Sequence, residues 1–87
     1  MSTVFIPAQL RELTGGVTEL ELSGTTVRQL LTQLEERFPG IAARLCTGDA
    51  LAHSLAVSID GSISSKGLQA RVEGAKEVHF LPAIGGG

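Results

Sequence analysis

Val27, Leu30, Leu31, Leu34 and Phe38 recur at i, i+3, i+4, i+7 and i+11, which is one apolar stripe along an α-helix. This is the strongest periodicity in the chain, and the rest of the fold has to be arranged around it. Thr26 stands where a helix needs a side-chain acceptor for its unpaired N–H groups. Gln29, three residues later, is the reciprocal partner of a capping box. Pro39-Gly40 closes the segment, because proline cannot continue the hydrogen-bond ladder and glycine tolerates the turn. Glu35, Glu36 and Arg37 lie off the stripe and read as a solvated face.

Strand-like alternation flanks the helix on both sides. Val4 and Ile6 alternate with Thr3 and Phe5 until Pro7. After a connection containing Gly15-Gly16, Leu20 and Leu22 alternate with Glu19 and Glu21. Beyond the helix, Ile41–Leu45 allows one more short turn, and Cys46–His53 reads as loop. Leu55, Val57 and Ile59 then alternate with Ala56 and Ser58, Asp60-Gly61 signals a tight turn, and Ile63 begins a short return strand. Lys66–Gly74 is irregular, with Leu68 and Val72 as inward contacts. Val78 and Phe80 alternate with His79 and Leu81 in a last strand ended by Pro82.

The order strand, strand, helix, strand, short strand, strand predicts an α+β chain: a mixed sheet of four to five strands with one main helix across one face. That is the β-grasp, or ubiquitin-like, architecture. It makes the first and last strands parallel neighbours in the middle of the sheet. The expected division is a β-grasp domain over residues 1–82 and a flexible glycine tail over residues 83–87.

Composition excludes several function classes. Eighty-seven residues form one domain, which buries only roughly 60–65% of its unfolded surface and leaves little room for a deep substrate pocket. The net charge is −2, the five Arg and two Lys are scattered, and the only aromatics are three Phe, so nucleic acid is not an expected partner. No apolar run approaches the roughly 20 residues of a membrane span, and no basic-then-apolar leader opens the chain, so the plain expectation is a cytoplasmic protein. The single Cys46 allows no internal disulfide and no metal-ligand spacing.

The chemistry-bearing segment is the end, Pro82-Ala83-Ile84-Gly85-Gly86-Gly87. Nothing from Phe80 onward carries a charged side chain, and the last three residues have no side chain at all. An extended glycine strand can thread a channel that any Cβ would block. Ordering it costs roughly 1–2 kcal/mol per residue, which a partner has to supply. The α-carboxylate is ionised at neutral pH and is a poor electrophile, so acyl chemistry on it needs activation by another protein, most simply as an acyl-adenylate. Terminal glycines are also common as frayed ends or cloning remnants. Their position directly behind a central strand favours function.

By alternation, Phe5, His79 and Leu81 share the sheet face opposite the helix and form an exposed patch near the root of the tail. The competing arrangement covers Phe5 with the loop over residues 7–16. His79 has no second catalytic group beside it and reads as a surface histidine; His53 falls in a loop. Cys46 has no basic cluster to activate it and reads as an inert, partly buried thiol. Asp49, Asp60 and Glu73 read as turn residues.

Ile6-Pro7 with Leu10-Arg11, Thr14-Gly15-Gly16, the Leu30/Leu31/Leu34 helix and above all the Phe80–Gly87 ending make the chain similar to the MoaD/ThiS family of sulfur carriers. The resemblance spans essentially the whole chain and is strongest to carriers of the cysteine-synthesis type. Relatives commonly carry Ala or Ser where Gly85 stands.

The resemblance implies a protein cosubstrate rather than an enzyme. An adenylating enzyme of the ubiquitin-activating kind would use ATP on the carboxylate of Gly87, and this chain itself would bind no cofactor and no metal. A sulfur source would displace AMP to leave a thiocarboxylate, and a sulfur-accepting biosynthetic enzyme would take the sulfur. Gly86, Gly85, Ile84, Ala83, Leu81, His79 and Phe5 would meet the partners. A metalloprotease that trims such carriers would restore the Gly87 end. Two other roles stay open on the residues: the small subunit of molybdopterin synthase, and a ubiquitin-like modifier or interaction module.

Overall fold

The computed structural model describes residues 1–48, 50–52 and 55–82. Strand β1 (Ser2–Phe5) points Val4 inward and is followed by buried Ile6. It pairs antiparallel with β2 (Glu19–Leu22), with Ser2 opposite Leu22 and Phe5 opposite Glu19. The connection is anchored rather than loose. Leu10 is buried, and the hydroxyl of buried Thr14 lies 2.9 Å from the Val17 carbonyl oxygen and 3.1 Å from that of Arg11.

Helix α1 (Val27–Arg37) buries Val27, Leu30, Leu31 and Leu34, the residues of the stripe. Phe38 falls just beyond it as the C-terminal cap residue and stays half-buried against the core. Thr26 caps the helix through its hydroxyl, which accepts from the Gln29 N–H at 3.4 Å. The reciprocal bond is displaced by one residue, because the Gln29 side chain accepts from the N–H of Thr25, at 2.5 Å. Backbone bonds from Val27 N–H to the Ala70 carbonyl and from Val72 N–H to the Thr25 carbonyl tie the helix start to the 70–72 segment.

Short helix α2 (Ile41–Leu45) occupies the expected extra turn. The following stretch differs from the loop expected over Cys46–His53. Strands β3 (Cys46–Thr47) and β4 (Ala50–Leu51) form a minimal antiparallel ribbon with Cys46 opposite Leu51, while His53 lies outside the described residues. Two-residue strands carry no periodicity; beyond their mutual pairing, the packing of Leu51 on the core and the Ala52 N–H bond to the Leu45 carbonyl hold them in place.

Strand β5 (Leu55–Ile59) turns through Asp60 and Gly61, at φ 50° and 88°, into β6 (Ser62–Ser64). Both turn residues are left-handed, as a two-residue hairpin turn matched to strand twist requires. Leu68 and Val72 point inward along the irregular stretch that follows. Strand β7 (Glu77–Pro82) then inserts between β1 and β5, giving the order β2-β1-β7-β5-β6. It runs parallel to β1 and antiparallel to β5. The fold is thus the expected α+β one, a mixed five-stranded sheet with one main helix on one face and a single core between them. Among the described residues, no helix is long and apolar enough to cross a membrane.

Candidate functional site

The sheet face turned away from α1 is built by strand alternation. In β1 Thr3 and Phe5 leave the core, and in β7 Glu77, His79 and Leu81 do the same, while Val4, Val78 and Phe80 are buried. Parallel pairing places Phe5 opposite His79. Their rings stack face to face, with centroids 4.0 Å apart and planes 5° from parallel. Phe5 is therefore half-buried, flanked by a histidine of the neighbouring strand. His79 in turn places Nε2 3.2 Å from Glu77 Oε1 and remains about one-third exposed, at 34%. Leu81, opposite Ala56, stays exposed on the same face next to the end of β7.

The structure thus brings Phe5 and His79 into contact and sets Leu81 on their face. The remaining expected site residues, Ala83, Ile84, Gly85, Gly86 and Gly87, lie outside the described residues. β7 fixes where they begin: at the end of a strand hydrogen-bonded on both sides, near the middle of the sheet. Because β1 is parallel to β7, the connection through Leu10 and Thr14 leaves the sheet at this same end.

Sequence reading missed the neighbours that complete this face. Glu19 lies opposite Phe5, Ser58 opposite His79 and Ile63 opposite Ser58, forming one cross-strand row. Ser58 is buried and Ile63 is 63% exposed. Glu21 and Glu77 both lie opposite Thr3. The alternation of each strand was the available signal, but the row exists only once strand order and register are set.

Two carboxylates hold the scaffold behind the face. Asp60 Oδ1 accepts from the N–H groups of Lys76 and Glu77, both at 2.8 Å, and pins the start of β7. These bonds hold its carboxyl below the usual range. Glu35, expected on a merely solvated face, accepts from Gly40 N–H at 2.9 Å and from Ala42 N–H at 3.0 Å. It thereby joins the end of α1 to the start of α2, and the two bonds lower its carboxyl in the same way. The bridge depends on Gly40 turning at φ 100°.

On the helix side a shallow groove of about 610 Å³ is lined by Leu31, Ala42, Leu68 and Cys46, with Arg28 and Glu35 at its polar parts. Partial burial pushes the Cys46 thiol up from its ordinary value of 9.0, and the Arg28 charge opposes this only in part. Less thiolate makes a weaker nucleophile, and the half-buried Cys46 has the partial burial expected of it.

Comparison with known proteins converges on this fold and this ending. The sequence is 32% identical over 90 residues to the sulfur carrier protein CysO of Mycobacterium tuberculosis (strain H37Rv), covering 98% of this chain and 97% of that protein. A chain in the crystal structure of the Amycolatopsis orientalis BexX/CysO complex superposes with a TM-score of 0.86 at 37% identity, covering 100% of both chains. The solution structure of small archaeal modifier protein 1 from Methanosarcina acetivorans gives a TM-score of 0.75 at 29% identity, covering 99% of this chain and 95% of that one. The ThiS family model matches residues 4–87, from β1 through Gly87. The chain accordingly belongs to the ThiS family.

Proposed function

We propose that the protein is a sulfur carrier of the CysO/ThiS type that works through the carboxylate of Gly87 as a cosubstrate of partner enzymes. The observation that carries this reading is the family match through Gly87 together with the central position of β7, the strand that leads into residues 83–87. In the proposed cycle the Gly87 carboxylate attacks the α-phosphorus of ATP on an adenylating enzyme and pyrophosphate leaves. Sulfide, or a persulfide sulfur followed by reduction, adds to the acyl carbon and expels AMP. The resulting thiocarboxylate gives its sulfur to an acceptor enzyme, and hydrolysis returns the carboxylate. ATP is consumed by the activating partner, and this chain contributes the acyl group, the reach of its glycines and a docking face. Cysteine-type synthesis is the favoured destination of the sulfur, on the likeness to CysO. The similar chain at 37% identity comes from a BexX/CysO complex, which supports a second protein docking on this fold. We assign the cycle to the cytoplasm, where ATP-dependent activation is available.

The likeness to small archaeal modifier protein 1 supports a second reading, in which Gly87 is joined to lysines. One experiment separates the two. The protein is incubated with ATP, a sulfide source and the adenylating enzyme, weighed intact, then digested to place any sulfur-for-oxygen gain. Digestion is needed because oxidation of Met1 or Cys46 adds nearly the same mass. A gain on the C-terminal peptide, reactive towards a thiol alkylator, is the expected result. An unchanged terminus, with an enzyme proven competent on another carrier, would sink the carrier reading; an isopeptide at Gly87 would establish the modifier.

A further inference from the structure

Two prolines meet at the end of the sheet from which the terminal residues leave. In a ladder between two strands, the backbone groups of alternate residues point to the neighbour. Thr3 N–H bonds to the Lys76 carbonyl at 2.8 Å, so the odd-numbered residues of β1 face β7. Ile6 N–H turns the other way and bonds to the Thr18 carbonyl at 2.9 Å. On β7 the Glu77 carbonyl accepts from Asp60 N–H at 2.9 Å on the β5 side, which leaves the even-numbered residues facing β1. The parallel register sets Thr3 opposite Glu77 and Phe5 opposite His79. Carried on by two residues, it asks residue 7 to donate to the Phe80 carbonyl and residue 82 to donate to the carbonyl of residue 7. Both positions are prolines, and neither has an N–H. The β1–β7 ladder accordingly ends at Phe5 and His79, while β7 runs on to Pro82 against Leu55 of β5.

A central strand is a costly place for a proline, because a ladder bond is lost there; sheets otherwise confine proline to edges, first residues and bulges. Here β7 is central, and the two prolines delete consecutive bonds of one ladder. The acceptor between them is also withdrawn. The Pro7 carbonyl takes the Leu10 N–H at 2.9 Å as the chain turns away, with Pro7 buried at φ −57° and ψ 143°. Without such a stop, a chain leaving the middle of a sheet can lengthen the ladder and lose its reach. Resting on the carrier reading above, we infer that Pro7 and Pro82 form a double stop, which ends the β1–β7 ladder before the terminal residues begin. A partner enzyme then takes up the Gly87 carboxylate without first unzipping the sheet. The part played by the two prolines is positioning, since the chemistry proposed at Gly87 uses neither ring.

Restoring the missing donors tests this. Pro82→Val, and the double variant Pro7→Val/Pro82→Val, return an N–H to each position with a side chain suited to a strand. Amide exchange and thiocarboxylate formation by the adenylating enzyme are followed on the full chain, and a thermal melt checks the fold. In the double variant the new amide at position 82 should exchange at least about tenfold more slowly than an unstructured one. Its kcat/KM should fall about fivefold or more, because only the fraction of molecules with the ladder open is competent. Pro82→Val alone should show both changes at smaller size, which keeps the test in force if the double variant does not fold. A semisynthetic chain with N-methylvaline at position 82 carries the same side chain but again has no N–H. It should recover the turnover of the parent, which it would not do if losing the proline ring were the cause. Unstructured exchange at position 82, parent-like turnover by Pro82→Val, or no recovery with N-methylvaline overturns the double stop and leaves the carrier reading standing. If the parent itself gains no thiocarboxylate, the carrier reading falls, and amide exchange at position 82 still decides whether the stop exists.

Discussion

Phe5 and His79 occupy facing positions on parallel strands and stack at 4.0 Å, so the aromatic contact on the open face links the first strand of the chain to the last. Such a pair contributes about 0.5–1.5 kcal/mol beyond the area it buries. Phe5→Ala should cost about 1 kcal/mol and lower Tm by roughly 4–8 °C. The double-mutant cycle with His79→Ala should show a coupling of at least about 0.5 kcal/mol. Strict additivity in denaturant melts would mean the stack contributes nothing. In the activation assay both variants should raise KM and leave kcat nearly unchanged, since the proposed chemistry runs at the Gly87 carboxylate and uses neither side chain.

Removing Gly86 and Gly87 should abolish thiocarboxylate formation without moving Tm, because neither glycine has a side chain to bury. Gly86→Val is the finer test. If the tail has to thread a narrow channel, a branched side chain there should reduce kcat/KM by about tenfold or more on an otherwise unchanged protein. Parent-like turnover by Gly86→Val would show that the partner's channel is wide.

Glu35 and Asp60 make stability depend on acid in a predictable direction. Both carboxyls are held below their ordinary values of 4.5 and 3.8 in the folded state. Their contribution is therefore complete above those values and is lost as pH falls through the lower, folded-state ones. Calorimetry from neutral pH to about pH 3 should show a smaller fall in Tm for E35Q/D60N than for the parent, from a lower starting point at neutral pH. Equal falls would place the acid sensitivity in other groups.

Cys46 should be alkylated slowly at neutral pH, because partial burial keeps the thiol protonated. Unfolding in denaturant should speed the reaction by removing that desolvation. Rapid labelling of the folded chain would contradict the inert assignment. A slow Cys46 also means that fast alkylation after activation reports on the terminus.

The helix and the strand alternation were legible because each repeats its signal over several residues: Val27 to Leu34 in one case, Val78 to Leu81 in the other. Alternation also placed Phe5, His79 and Leu81 on one face, although the stack itself depends on the parallel register of β1 and β7. The β3–β4 ribbon was illegible, since two-residue strands have no period to detect. The Glu35 bridge was hidden for a different reason. It needs Gly40 at φ 100° to turn the chain back toward the helix, and an isolated Glu on a helical wheel looks the same whether or not that happens. The shared face of Glu19, Glu21 and Glu77 required strand order, because the three are scattered in sequence.

The central position of β7 has a mechanical consequence. A partner that draws the terminus into its own interior pulls along a strand bonded to β1 on one side and β5 on the other. Tension in that direction loads both ladders in shear, so their hydrogen bonds share the force instead of breaking one after another as they would if an edge strand were peeled away. The body of the protein can then act as a rigid handle while its end is stretched, released and stretched again.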